Sequence, residues 1–247
     1  RDSDYIWHPP AIYREQAVHM ATSSDGWQTY LKTSVQDWDV GINLTHVRPV
    51  MEPMDESVAI IFGDPRVGRF TGVNLAVSSP AKTLEVRYDF TRLNLDFSPS
   101  LPFLSAGKTD TQMHTVGVRY YLTDSVDVTA ERIMVRNEGH EVWDSFHRVW
   151  TVGGNPGGYA LTVRYRPTDR SQLAVTADRW CTDESDCNGK RGAAVGTPSN
   201  AYYSNTYTAS YRYRIDQNWA VTAQVMRIEG SNTEITGRDR RDVTNRY

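Results

Sequence analysis

The chain has 247 residues, enough for one large all-β domain or two small ones, with a formal charge of −3 and a sequence pI near 6.1. That balance leaves no basic footprint for nucleic acid, so no nucleic-acid partner is expected. Mean hydropathy is −0.56, and no stretch reaches the roughly 18 to 20 apolar residues of a membrane helix, which leaves barrel strands open because they are only about half apolar.

Residues 1–20, "RDSDYIWHPPAIYREQAVHM", show neither the charged n-region nor the apolar h-region of a signal peptide, so the sequence reads as mature or as starting mid-chain. Tyr5, Ile6, Trp7, Ile12 and Tyr13 are too bulky for a solvated tail. Pro9-Pro10 stiffens the middle of the stretch.

From residue 26 the chain reads as five hairpins. "GWQTYLKTSVQDWDVGINLTHV" turns near Gln36-Asp37, and "FTGVNLAVSSPAKTLEVRYDFTRLNLDF" turns at Ser79-Pro80, with a phase change between Phe90 and Leu93 that predicts a bulge. In "MHTVGVRYYLTDSVDVTAERIMVRN", Val116, Val118, Tyr120 and Leu122 share one face against Thr115, Gly117, Arg119 and Tyr121. Its return strand sets Val126, Val128 and Ala130 against Asp127, Thr129 and Glu131, then loses the alternation beyond Arg132, a second predicted bulge. "GYALTVRYRPTDRSQLAVTADRW" opposes Tyr159, Leu161, Val163 and Tyr165 to Ala160, Thr162, Arg164 and Arg166, then Leu173, Val175 and Ala177 to Gln172, Thr176 and Asp178. The last hairpin sets Tyr207, Ala209, Tyr211, Tyr213 and Ile215 against Thr208, Ser210, Arg212 and Arg214, and returns with Trp219, Val221, Ala223 and Val225 against Thr222 and Gln224.

Ten strands of about ten residues follow. The tight turns fall near 36, 80, 124, 168 and 217, whereas the segments between hairpins, 49–68, 98–111, 137–157 and 181–204, are long and rich in Gly, Pro, Ser, Asn and charge. All short connections therefore lie at one end and all long ones at the other. A β-propeller needs four short strands per repeat of about 40 to 45 residues, and a soluble sandwich mixes turns and loops at both ends. Next-to-next strands instead predict an antiparallel up-and-down sheet that must close or leave long edges exposed. Tyr120, Tyr165, Tyr213 and Trp219 lie near the tight turns, with Tyr159, Tyr207 and Trp180 near the long loops. Two aromatic belts around Val, Leu and Ala predict a transmembrane β-barrel with its apolar face in lipid. The rival is a soluble all-β carbohydrate-binding module, or a propeller, without transport activity.

The opening residues carry a family resemblance. "RDSDYIWHPPAIYREQAVHMATSSDGWQTYLK" resembles the segment of sixteen-stranded proteobacterial porins and porin-like proteins that leaves the constriction loop and enters the next strand, with its Pro-Pro-x-x-Tyr, Ser-Ser-Asp-Gly and following strand. Later hairpins, each x-Tyr-Arg-x-x-Asp before an alternating strand, extend the resemblance over nearly the whole chain. It implies a Gram-negative outer-membrane diffusion channel for small hydrophilic solutes or ions, with outer-membrane lipid as partner and a homotrimeric assembly. It also makes residues 1–20 a constriction loop whose Asp2, Asp4, Tyr5, Trp7 and Glu15 stand inside the pore. The polar ending "SNTEITGRDRRDVTNRY" departs from the closing strand of that family. With five strands absent before residue 1 and one after residue 247, the ten present would complete sixteen, so 1–247 reads as one partial barrel domain.

The pore-lining residues expected on the polar face are Arg87, Arg119, Arg164, Arg166, Arg212, Arg214, Glu131 and Asp178. Arg119, Arg164 and Arg212 precede Asp124, Asp169 and Asp216 by four or five residues, which puts them at similar height on every second strand. Such a row attracts anions. The competing reading pairs the arginines with Asp89, Asp127, Glu131 and Asp178 as interior filling. Cys181 and Cys187, in "CTDESDCNGK", are expected to form a disulfide in an oxidising compartment; a Ca²⁺ loop using Asp183, Glu184 and Asp186 lacks the spacing of a cation motif. The six histidines show no metal-ligand pairing, and no nucleophile elbow or phosphate loop occurs. The chain is read as a non-enzyme with no cofactor and no metal.

Overall fold

Gln36 and Asp37 both adopt positive φ, 48° and 66°, the conformation a two-residue type I′ hairpin demands and one that aspartate tolerates better than most residues. The turn closes directly on the pair Val35↔Trp38. The computed structural model describes residues 21–51, 66–97, 107–143, 148–151, 155–194, 196, 199–217, 219–230 and 244–246. These contain β1 (Ala21–Val35), β2 (Trp38–Met51), β3 (Arg66–Ser78), β4 (Leu84–Phe97), β5 (Gly107–Tyr121), β6 (Val126–Trp143), β7 (Arg148–Thr151), β8 (Gly157–Thr168), β9 (Ser171–Cys181), β10 (Tyr203–Arg214), β11 (Ala220–Glu229) and β12 (Thr244–Arg246). The only α-helix among them is the five-residue α1 (Lys190–Ala194).

One antiparallel sheet holds every strand. Its order is β1-β2-β3-β4-β5-β6-β8-β9-β10-β11-β12, with the short β7 also on β6. The ten long strands form the expected up-and-down meander, with the five short turns at one end, and no propeller blade occurs in it. The sheet is open: β1 and β12 end the order and do not pair with each other.

Several strands run further than the alternation predicts. β5 begins at Gly107 and β6 continues to Trp143, so parts of the expected 98–111 and 137–157 loops are ladder. The two expected bulges are also corrected. β5 and β6 pair without a slip from Tyr121↔Asp127 to Lys108↔His140, and β4 pairs β5 unbroken from Leu84↔Tyr120 to Phe97↔Gly107. The bulge lies on β3, where Gly68 and Arg69 fall between the pairs Val67↔Leu95 and Phe70↔Leu93, opposite Asn94 alone. What changes at Arg92 and Arg132 is polarity rather than phase. Beyond them Arg136 and Glu138 occupy the face that Val128 began, while Leu93, Ile133 and Val135 turn to the other.

The two faces are inverted relative to a globular protein. Among the described residues, every large exposed apolar side chain except Tyr30 lies on one face, from Trp38 and Leu44 through Tyr120, Val163, Tyr165 and Val175 to Tyr211, Trp219 and Val225. The opposite face buries Thr115, Asp127, Thr162, Arg164, Asp178, Ser204 and Thr206. β8 shows the contrast residue by residue: Gly158, Ala160, Thr162 and Arg164 are buried, and Tyr159, Leu161, Val163 and Tyr165 are exposed. The polar face also holds a small apolar cluster at its loop end, Ile133, Ala160 and Trp180, with Met113 and Val135 against it. Trp180, expected in the exposed belt, is thus 4% exposed on the polar face, because it stands two residues after Asp178.

Candidate functional site

Register places the arginines. Following hydrogen-bonded partners across the polar face from Arg119 leads to Thr129, Thr162, Thr176 and Thr208. Within this row the Thr162 and Thr176 hydroxyls meet across the strands at 2.9 Å. Arg164 stands two residues nearer the turns than the row, and Arg212 two residues nearer again, each step taken over two strands. One residue along for each strand across is about 3.3 Å against about 4.8 Å, a slope near 35°. That slope falls in the range of strand tilt that closed barrels require.

Asp127 is the centre of the site. It is fully buried at the start of β6, opposite Tyr121 of β5 and Arg164 of β8. Its carboxylate accepts from Arg119 Nε at 3.1 Å and from Arg166 Nη2, and Arg164 Nη2 lies 3.9 Å away. The side chains of Arg164, Arg119 and Arg166 are 4%, 15% and 30% exposed. The Arg119 guanidinium also covers the Tyr121 ring, 5.0 Å from its centroid. The backbone of Arg166 donates to Ser125 O at 2.7 Å, which fixes the β8–β9 hairpin against the β5–β6 hairpin and brings both arginines of β8 to Asp127.

The other expected residues spread around this centre. Arg87 bonds Glu85 on its own strand, Nε to Oε1 at 2.8 Å, away from Asp127. Glu131 faces Gly117 and Ala160, and Asp178 is buried between Ala160 and Thr206. Arg212 lies between Gln172 and Thr222. Arg214 is exposed at the turn end and donates to Asp169 O at 2.9 Å, tying two turns together. Asp89 accepts from Asn74 Nδ2 on the neighbouring strand. Asp2, Asp4, Tyr5, Trp7 and Glu15 lie outside the described residues. The structure therefore brings Arg119, Arg164 and Arg166 together and leaves Arg87 and Arg214 apart. Asp127, a pairing alternative in the sequence, proves to be the shared partner.

Cys181 and Cys187 are joined in a disulfide with Cα atoms 5.1 Å apart. The loop it closes folds over the apolar-face side of β6, β8 and β9. Glu184 pairs with Arg132, and Arg179 donates to Asn188 Oδ1 at 3.0 Å. Asp183 caps Ser185, and Asp186 accepts from the Arg191 backbone, so these acidic groups serve the loop itself. Gly157 permits the closure: a Cβ there would lie 2.0 Å from Glu184 Oε1. Substituting Gly157→Ala should push Glu184 off Arg132, with a stability loss under about 1 kcal/mol because the pair is exposed. Reduction of the Cys181–Cys187 bond by a soluble dithiol should be at least twofold faster in the variant. An unchanged reduction rate would show that the Glu184 contact does not hold the loop.

His46 meets Thr71 Oγ1 at 3.0 Å and His114 meets the Tyr88 hydroxyl at 2.8 Å. Among the described residues no three His, Cys, Asp or Glu side chains gather as a metal-binding group. No protein-family model, curated protein or solved structure matches the chain.

Proposed function

We propose that the chain forms the wall of a porin-like transmembrane β-barrel in a bacterial outer membrane, through which small hydrophilic solutes and ions diffuse passively. One observation carries this reading: a single-layer sheet that exposes its Tyr, Trp, Val and Leu and buries its Arg, Asp and Thr. Water rewards the reverse arrangement. Lipid against the apolar face and a hydrated lumen against the polar one satisfy both faces at once. The stagger of about one residue per strand supports the same reading, because a sheet closes into a barrel only when its strands tilt in this way. In the closed form the Asp127 cluster and the threonine row line the pore, and the homotrimer implied by the porin resemblance is the proposed assembly.

The test uses the protein as its own gene encodes it. It should resist alkaline extraction from membranes, require detergent to stay dispersed, and give stepwise conductance in planar bilayers. A protein that stays soluble without detergent, or inserts and never conducts, overturns the channel reading.

A further inference from the structure

Resting on that reading of the apolar face as lipid-facing, we infer that its loop-side rim docks phosphate-bearing lipid headgroups through one arginine per hairpin. On each strand that runs from a tight turn toward the long loops, the apolar face carries three or more apolar residues in alternation. The first formal charge after them is always an arginine. It is Arg48 on β2 after Leu44, Arg92 on β4 after Phe90, Arg132 on β6 after Ala130, Arg179 on β9 after Ala177 and Arg227 on β11 after Val225. Five hairpins give five arginines.

The rim follows the sheet's stagger. Row by row, Arg132 and Arg179 share one level through Tyr159. Arg92 lies two steps of the alternation nearer the loops and Arg227 one step nearer the turns, a total of six residues across the strands from β4 to β11. That is the same one residue per strand as the arginine line on the polar face. With the strands tilted at that slope, Arg92, Arg132, Arg179 and Arg227 stand within about one step of the alternation of a common height above the turns.

Apart from Asp25, which pairs level with Arg48 on the edge strand β1, the acids of this face lie behind the line. Asp110, bonded to Arg92, is one step further toward the loops; Glu229, bonded to Arg227, is likewise one step beyond; Glu184, bonded to Arg132, comes from the disulfide loop. Arg92, Arg132 and Arg227 remain about half exposed, and each ion pair occupies only part of a group with five N–H donors. Apolar side chains, then guanidinium, then carboxylate, is the order that meets acyl chains, then phosphate, then water. Arginine binds phosphate in bidentate fashion, and its stem can run along the apolar surface beneath. The opposite rim has no such line: the tight turns carry Asp37, Asp124, Asp169 and Asp216 against Lys82 and Arg170. The occupant is therefore a phosphorylated lipid of the leaflet at the loop end.

Native mass spectrometry of the protein in a neutral detergent tests this, with a bis-phosphorylated glucosamine lipid, a phosphocholine lipid and inorganic phosphate as probes. The wild type should retain the bis-phosphorylated lipid at least tenfold more than the phosphocholine lipid. Retention should fall at least tenfold in Arg92→Gln/Arg132→Gln/Arg227→Gln, recover in the matching Lys variant, and stay unchanged in the turn-side Lys82→Gln/Arg170→Gln control. Equal retention by the Gln variant overturns the inference. So does displacement of the lipid by equimolar inorganic phosphate, which would mark a free-anion site. A protein that needs no detergent would instead remove the membrane reading beneath it, a result separable from either.

Discussion

Replacing Asp127 by Asn should lower the stability of the folded sheet by about 3 kcal/mol, since removing one partner from a buried ion pair typically costs about 3 to 5 kcal/mol and Asn keeps the shape. The carboxylate is fully buried and shared by three guanidinium groups, of which Arg164 is itself 4% exposed. Asn retains one acceptor oxygen but no charge, so the arginines around it repel one another in a site that water reaches poorly. The reading is a urea-unfolding midpoint in lipid vesicles, compared with that of Arg166→Gln. Arg166 is the most exposed of the three partners, and its loss should cost about 1 kcal/mol or less. Equal midpoints for Asp127→Asn and wild type would show that the cluster contributes nothing to the fold.

This centre was only half legible in the sequence. Arg119 and Asp127 are eight residues apart across one tight turn, so their shared face follows from period-two alternation alone. That Arg164 and Arg166 reach the same carboxylate depends on the pairing of β6 with β8, which the long 144–156 connection does not encode locally. The turns were more legible: Gln36-Asp37, where both residues take positive φ, and the turns carrying Asp124, Asp169 and Asp216 mark one end of four hairpins because Asp favours tight reversal, and Ser79-Pro80 marks the fifth. Trp180 shows where two rules compete. Its position beside a long loop fits an aromatic belt, but its spacing from Asp178 puts it on the polar face, and strand geometry prevails because side chains alternate without exception along an unbulged strand. The bulge expected beyond Arg132 fails for a different reason. Alternation reports burial only while the surroundings of each face stay the same, and both faces change character at the arginine rim.

The second large effect concerns ions. With the polar face lining the channel as proposed, Arg119→Ser with Arg212→Ser should shift permeation toward cations, whereas Arg164→Ser should mainly weaken the fold. The difference follows from burial: the Arg164 side chain is 4% exposed beside Asp127, while Arg119, 15% exposed though also bonded to Asp127, and the partly exposed Arg212 stand on either side of it along the tilted line. A unit charge about 4 Å from a passing ion in water is worth about 1 kcal/mol, or about fivefold in local ion occupancy. Each arginine removed should therefore lower the anion-to-cation permeability ratio severalfold at low salt. The effect should fade toward 1 M, where the screening length is only about 3 Å. Reversal potentials across a salt gradient measure this directly. If they are the same in wild type and double variant at low ionic strength, the guanidinium groups are neutralised by their neighbours and act as interior filling, and the selectivity of the pore lies elsewhere along its wall.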